Sequence, residues 1–208
     1  RSDLVNFLRV DLEHLIKTNR NISSIDQENK KIKLTFKNNE IFVCDYLIIS
    51  DGVFSKSKSL MSNNKTKPIF NKTLAIRGTI PCSQKIDCKS ISLFLGPNFH
   101  QVIYPVNSSG DLNFIAILKY NLSISDQKNY SLFNDNNFIK KILDVIPLEM
   151  REFLNEIKQL KIFPVFVSES FLKTKNNNIH LVGDAFFAFP PSFAQGASQS
   201  IESAYELF

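Results

Sequence analysis

The chain has 208 residues, of which 43% are hydrophobic and 22% are charged, and its formal net charge is +5. These fractions are typical of a globular protein and exclude a disordered chain, a collagen-like repeat and a disulfide-rich scaffold. No apolar run approaches the ~20 residues that a membrane-spanning helix needs. The dispersed lysines lack the dense basic stripe of a nucleic-acid-binding protein.

The cysteines and the first residues indicate a compartment. Cys44, Cys82 and Cys88 lack the paired CxxC spacing of zinc or redox sites. We therefore expect reduced cysteines that serve packing, in a cytoplasmic protein with no metal site. Residues 1–15 already have the pattern of an amphipathic helix, so no signal peptide is visible and we expect the first residue to be a cut end.

The first quarter of the chain predicts a helix followed by strands. Apolar residues at helical spacing predict a helix that starts at residue 1, buries one face and ends near residues 19–21. Alternating apolar residues predict a strand over 32–36, a turn at Asn38-Asn39 and a strand over 41–50 that is buried on both faces. This second strand ends at Asp51-Gly52, and open α/β sheets bind ligands at the carboxyl ends of their strands.

The rest of the chain predicts an antiparallel sheet, helices and a return to α/β structure. Short strands at regular spacing are predicted over 74–80, 91–95, 102–106 and 112–120. Two helices, separated by Pro147, are predicted over 134–146 and 148–160. A short buried strand over 179–182 and a helix over 199–208 follow.

The strongest functional signal is the segment from Gly183 to Ala197. The predicted strand delivers the Asp184 carboxylate at its carboxyl end, Pro190-Pro191 stiffens the loop, and Gly196 opens a helix. The carboxylate can accept hydrogen bonds from a polyol, and helix amides can hold an electron-rich group. This arrangement favours a cofactor that is part sugar and part anion.

At these residues the chain resembles the flavin-dependent aromatic hydroxylases. Their FAD-binding signature reads roughly GDAAHxxxPxxxQGxN, and the matching residues are Gly183, Asp184, Ala185, Pro191, Gln195 and Gly196. Phe186-Phe187 stands where Ala-His is usual, and Ser198 stands where Asn is frequent. Residues 51–58, DGVFSKSK, are similar to the family's DGxxSxxR signature. Lys58 replaces the usual Arg, which keeps a point charge but loses bidentate phosphate recognition.

Weaker resemblances point to the salicylate hydroxylases within this family. Residues 1–4, RSDL, are similar to the RxxL start of a helix whose Arg contacts FAD. Residues 75–78, AIRG, and 104–106, YPV, are similar to strands of the substrate sheet. Family members open with a GxGxxG fingerprint, and the 208 residues contain no GxG. We therefore expect an internal part of a longer enzyme, and we expect the isolated chain not to retain FAD.

The resemblance implies an α/β (α+β) architecture and a set of cofactor contacts. Residues 1–67 and 167–208 would form an incomplete, Rossmann-like FAD-binding domain, and 68–166 an inserted substrate domain on a mostly antiparallel sheet. Arg1, Asp51 and Gly52 would lie along the ribose and pyrophosphate. The resemblance implies a second set of residues, which would lie around the flavin and its ribityl chain: Gly183, Asp184, Pro191, Gln195, Gly196 and Ala197.

The aromatic and histidine residues leave alternatives open. His100 could face the aromatic substrate and help to deprotonate a phenol, with Tyr104 as a second substrate contact. A satisfied or exposed histidine and a packing tyrosine are the plainer interpretations, and His14 and His180 are expected at the surface. The phenylalanines at 186, 187, 189 and 193 could line an aromatic pocket or pack in a core.

The implied activity is that of a monooxygenase. NAD(P)H reduces FAD, dioxygen adds at the flavin C4a carbon, and the resulting hydroperoxide hydroxylates a small aromatic compound. A homo-oligomer is compatible with this interpretation. One alternative is a flavoprotein acting on an isoprenoid or lipid substrate, such as a ubiquinone-type hydroxylase, an epoxidase or a reductase. The other is an inactive remnant or binding module.

Overall fold

The computed structural model describes residues 2–61, 67–82, 87–106, 110–154, 156–171 and 177–207. The helices are α1 Ser2–Arg9, α2 Lys56–Met61, α3 Asn136–Leu143, α4 Leu148–Leu154, α5 Gly183–Phe186 and α6 Gly196–Tyr205. The strands are β1 Ile22–Glu28, β2 Lys31–Phe36, β3 Ile41–Cys44, β4 Leu47–Ile49, β5 Ile69–Pro81, β6 Ser92–Gly96, β7 Phe99–Pro105, β8 Asp111–Lys119, β9 Lys158–Val167 and β10 Ile179–Leu181. Within these ranges, no helix is long and apolar enough to cross a membrane.

The strands form three sheets. β1, β2 and β3 make an antiparallel sheet, and β4 pairs in parallel with β10. The largest sheet is antiparallel and has the order β6-β7-β8-β5-β9. The predicted α/β fold with a mostly antiparallel sheet is therefore confirmed.

One face of the five-stranded sheet carries the main hydrophobic core. Ile76, Ile103 and Phe114 are fully buried there, and Ile142 and Ile146 pack onto them from the region of α3. Each fully buried side chain of this size contributes about 1.5–3 kcal/mol to folding. Successive strand side chains alternate between faces, and on the opposite face of this sheet Ala75, Ile117, Val165 and Val167 form a smaller buried cluster.

A smaller core holds the parallel pair against the first sheet. Ile32, Leu34 and Phe36 of β2 are buried, and they cluster with Ile49 of β4 and Leu181 of β10. This packing buries one side of the parallel pair. It fixes where the segments after β4 and β10 leave the sheet.

The predicted strand over 41–50 is wrong in two respects. The chain breaks at Asp45-Tyr46, so β3 joins the antiparallel sheet and β4 joins the parallel pair. Ile41, Phe42 and Val43 are exposed rather than buried on both faces. The turn at Asn38-Asn39 lies where it was predicted, with Asn39 at φ +64°.

The first helix is shorter and more exposed than predicted. α1 ends at Arg9, and Asp11 takes a left-handed conformation with φ +65° before a short 3₁₀ turn at Glu13–Leu15. Its apolar face is not buried in the described part of the chain. The exposed residues of this segment are Leu4, Leu8, Leu12, Leu15 and Ile16.

Two strands have no counterpart in the prediction. β1 was missed, and β9 occupies residues that the sequence assigned partly to a helix over 148–160. α4 ends at Leu154, and residues 158–167 pair instead with β5. β-branched and aromatic residues and Pro164 favour an edge strand at this position. Pairing with β5 therefore outweighs the helical spacing of the preceding residues.

The expectation that all the cysteines are reduced is wrong. Cys82 and Cys88 form a disulfide, with their Cα atoms 5.7 Å apart, and Cys44 is free. The Cα separation lies within the range that a disulfide can bridge. Sequence spacing missed the pair because the bond depends on how close the end of β5 and the residues just before β6 lie in the fold.

Candidate functional site

The parallel pair brings the two signature segments together. Ile49 lies opposite Leu181, and the Val182 backbone N–H donates to the Ile49 carbonyl at 3.0 Å. Asp51 and Asp184 therefore follow neighbouring parallel strands at the same edge of the sheet. This edge is where open α/β sheets place their ligands.

The turn after β4 is fixed by hydrogen bonds to its own residues. Gly52 takes φ +81°, and the Ser55 backbone N–H donates to its carbonyl at 3.0 Å. The Asp51 Oδ2 atom accepts from the Ser57 backbone N–H at 3.0 Å. Burial alone would raise the pKa of Asp51, but hydrogen bonds from Ser55 and Ser57 lower it below its ordinary value. Asp51 is therefore held as a carboxylate.

Lys58 joins this turn to the second signature. Its ammonium Nζ donates to the Ala185 carbonyl at 3.0 Å, and its side chain is buried. The Ser55 hydroxyl caps α2 by accepting from the Lys58 backbone N–H at 2.9 Å. Burial lowers the pKa of Lys58, and the nearby Asp51 charge opposes that shift. Lys58 thus supplies a bond between the two loops, which the sequence did not reveal.

Gly183 is held between β10 and α6. It takes φ +56°, and its N–H donates to the Ser203 hydroxyl at 3.1 Å. A Cβ at this position would lie 2.8 Å from Ser200 Oγ. Neither serine was identified from the sequence, although their spacing of three residues places them on one helix face.

The segment before α6 turns sharply and presents the helix N-terminus. A 3₁₀ turn at Pro191–Phe193 is followed by Ala194 at φ +54°, and Gln195 forms the N-cap without a side-chain capping bond. α6 begins at Gly196, as predicted from the motif, although three residues before the predicted helix over 199–208. A Cβ built on Gly196 meets no atom within 4 Å. The start of α6 is therefore accessible to a ligand.

Residues of the segment 183–189 and of α6 line one cavity of about 240 Å³. Asp184, which is exposed, and Gly196 lie on its wall together with Gly183. The carboxylate can accept from hydroxyl groups, and the uncapped helix terminus favours negative charge. The cavity can thus hold a ligand that combines a polyol with an electron-rich edge, as the sequence predicted.

Comparison with known proteins gives distant relatives. No family model matches the chain. It is 22% identical over 237 residues to salicylate hydroxylase of Pseudomonas putida, covering 100% of the chain and 52% of that protein. It is 23% identical over 203 residues to chloroplastic zeaxanthin epoxidase of Spinacia oleracea, covering 94% of the chain and 28% of that protein. The crystal structure of Klebsiella pneumoniae HpxO complexed with FAD and uric acid matches with a TM-score of 0.80 at 14% identity, covering 97% of the chain and 52% of that one.

The chain has the fold of the FAD-dependent aromatic hydroxylases. The family resemblance that the two signatures predicted is confirmed. The chain spans about half the length of the salicylate hydroxylase that it matches, 52%.

The departures from the hydroxylase signature form an aromatic cluster. Phe187 stacks on Phe171 with ring centroids 4.4 Å apart, and Phe189 contacts Phe187 at 4.9 Å. Phe186 also contacts Phe171, with ring centroids 5.3 Å apart. Phe186, Phe187 and Phe189 line the cavity beside Asp184. Of the two alternatives for these residues, a cavity wall or a packed core, the cavity wall describes Phe186, Phe187 and Phe189. The Phe193 side chain lies outside the described part of the chain.

His100 and Tyr104, the two residues predicted to contact substrate, lie on the face of the five-stranded sheet opposite the main core and are half-buried. His100 and Tyr104 alternate along β7 with the buried Phe99, Gln101 and Ile103. Burial lowers the pKa of His100. One strand therefore presents an imidazole and a phenol on this face of the sheet.

The remaining candidates lie apart from this arrangement. Arg1 lies outside the described residues. His14 is exposed in the turn after α1, and His180 is half-buried in β10. The structure thus places Asp51, Gly52, Gly183 and Asp184 at one sheet edge and His100 and Tyr104 on another sheet.

Proposed function

We propose that the whole protein is an FAD-dependent monooxygenase that uses NAD(P)H and dioxygen to hydroxylate a small aromatic compound. The observation that carries this proposal is the meeting of the two signature loops at one sheet edge, joined by Lys58 and Ala185. Each signature alone could be an ordinary turn after a strand. Their contact builds one site from segments that lie 127 positions apart.

FAD fits the residues at this edge. When bound, FAD supplies the redox chemistry, taking a hydride from NAD(P)H and activating dioxygen. Asp184 would accept hydrogen bonds from the ribityl hydroxyls, and the amides of Gly196 and Ala197 would hold the electron-rich edge of the ring. The dipole of the 10-residue α6 stabilises negative charge there by about 0.3–1 kcal/mol. The remaining proposed contacts with FAD are those of Arg1, Asp51, Gly52, Gly183, Pro191 and Gln195.

On the substrate side, His100 acts as the general base. Its lowered pKa leaves the imidazole neutral near pH 7, so a ring nitrogen can accept the proton of a phenol. Tyr104, four positions along the same strand, contacts the substrate ring. The aromatic cluster around Phe187 closes the cavity wall and excludes water from the reacting groups.

The domain organisation is part of the same proposal. Residues 68–166 form the substrate domain, inserted between the 1–67 and 167–208 segments of the FAD-binding domain. A cytoplasmic location stays a prediction, and the Cys82–Cys88 disulfide removes the cysteine argument for it. A homo-oligomer is compatible with the exposed edge strand β6.

A second candidate is a flavoprotein that acts on an isoprenoid or lipid substrate. The similarity to zeaxanthin epoxidase favours it, since the chain is 23% identical to that protein over 203 residues. The exposed apolar side chains Leu93 and Leu95 beside His100 also suit a larger apolar substrate. An inactive binding module is the third alternative.

The deciding experiment uses the whole protein. Purified protein is expected to show a flavin absorption spectrum and to oxidise NAD(P)H faster when one member of a panel of phenolic acids is added, with dioxygen consumed and a hydroxylated product formed. Stimulation by an isoprenoid or lipid alone would select the second candidate. A protein that binds no flavin under any condition would contradict both enzyme proposals.

A further inference from the structure

A second cavity, of about 360 Å³, shares no lining residue with the cavity beside Asp184. It is lined by residues of β9, the edge strand of the five-stranded sheet, by Phe54 and by residues of the 3₁₀ turn Tyr130–Asn134. Its volume falls in the range of small-molecule sites, about 300–1,000 Å³. We call this cavity the β9 groove.

The β9 groove is lined mainly by aromatic rings. Phe54 packs edge-on against Phe166 with ring centroids 5.2 Å apart, and Phe163 and Tyr130 complete the wall. Phe54 is 54% exposed and Tyr130 is 68% exposed. Exposed rings that converge on a concavity offer stacking and edge contacts to a planar ligand.

The polar groups of the groove are suited to an anion. Lys161 lines it, and no carboxylate among the described residues lies within ion-pair distance of the Lys161 ammonium. Asn134 and the Tyr130 side chain supply neutral hydrogen-bonding groups. The lining contains no Asp or Glu. The charge of the groove is therefore complementary to a carboxylate.

We propose that the β9 groove binds a small aromatic carboxylate, with its ring among Phe54, Phe163 and Phe166 and its carboxylate at Lys161. Phe54 belongs to the same loop as Asp51 and Gly52, which lie three and two positions before it. A ligand in the groove therefore contacts the loop that Lys58 joins to the Ala185 segment. The site takes its ligand without FAD, NAD(P)H or dioxygen, so it stands independently of the proposed hydroxylation.

The test measures benzoate binding at the groove itself. The 208 residues contain no tryptophan, so Tyr130→Trp places a fluorescent reporter in the wall. Benzoate is expected to change the fluorescence of this variant saturably, whereas neutral benzyl alcohol and non-planar cyclohexanecarboxylate bind more weakly. An unsaturable change, or equal binding of the three compounds, would overturn the proposal.

Four further variants locate the binding. In the Tyr130→Trp background, Lys161→Gln is expected to weaken benzoate binding about three- to tenfold. Lys158→Gln, on the same strand but outside the groove, is the matched control and is expected to leave it unchanged. Phe54→Leu is expected to weaken benzoate binding, and its urea denaturation curve should show that the variant is still folded without urea. Equal effects of the two lysine variants would place benzoate elsewhere and refute the proposed binding in the groove. Loss of benzoate binding in His100→Gln, a change in β7 and outside the groove, would do the same.

Discussion

The Lys58 ammonium donates to the Ala185 carbonyl at 3.0 Å, across 127 positions of the chain. This bond fixes the Asp51 turn against the Asp184 turn at the edge of the β4–β10 pair. A buried ammonium needs a hydrogen-bonding partner, since an unpaired one would destabilise the fold strongly. The carbonyl of Ala185 gains its partner from the other signature. The two loops are therefore expected to respond together to changes in either one.

Removal of the Lys58 donor is expected to destabilise the protein. Lys58→Met leaves the Ala185 carbonyl without this partner and should lower the free energy of unfolding by about 1–3 kcal/mol. Lys58→Arg keeps a donor and should recover part of the loss. Urea denaturation measures the change, with exposed Lys56→Met in the same helix as control. Equal stability of the Lys58→Met and Lys56→Met proteins would show that the bond contributes nothing.

Gly183 and Gly196 are expected to respond differently to the same substitution. Gly183→Ala forces a side chain into a left-handed backbone and into Ser200, so it should cost about 1–2 kcal/mol or more. Gly196→Ala meets open space in a helix and should stabilise folding by about 0.4–1 kcal/mol. Thermal unfolding measures both.

Gly196→Ala also tests the cofactor site. The new methyl group would stand where a ligand approaches the helix terminus, so FAD affinity should fall although folding is unharmed. FAD titration followed by flavin fluorescence measures this separation. Unchanged FAD affinity in Gly196→Ala would contradict the proposed contact.

Asp184 is expected to matter for FAD and little for folding. Its carboxylate is exposed beside the cavity, so Asp184→Ala should leave the urea midpoint nearly unchanged. Loss of hydrogen bonds between a charged acceptor and the ribityl hydroxyls should weaken FAD binding by about tenfold or more. Equilibrium dialysis of FAD against the wild type and the variant gives the ratio. Exposed Glu202→Ala, across the same cavity, is the matched comparison.

His100 is expected to lower the free energy of unfolding as the pH becomes acidic. Because burial lowers its pKa from the ordinary value of 6.5, the unfolded chain takes up the proton first as the pH falls. Above about pH 6.5 the His100 imidazole is neutral in both the folded and the unfolded chain and contributes nothing to the pH dependence of stability. Below this pH the free energy of unfolding declines until the pH falls past the pKa of His100 in the folded chain. His100→Gln should show a shallower decline in denaturant midpoint over this window. An identical pH profile in His100→Gln, with exposed His14→Gln as reference, would count against it.

Much of the site could be predicted because its signals are local. The carboxylate after a strand, the stiff Pro190-Pro191 pair and the glycine at the start of α6 each depend on neighbouring residues, and the structure contains each of them. The antiparallel sheet between residues 69 and 119 was likewise predictable from alternation and turns. Helix length was less well predicted, since α1 ends at Arg9 and its apolar face is exposed.

By itself the sequence determined the family resemblance, the mixed α/β class and the two signature segments. Only the tertiary structure decided that Lys58 binds Ala185, that Ser200 and Ser203 hold Gly183, that residues 158–167 form a strand, and that Cys82 bonds to Cys88. Local patterns report the preferences of a few consecutive residues. These four outcomes depend on contacts made beyond the local segment, where pairing and burial outweigh what a short stretch of chain prefers.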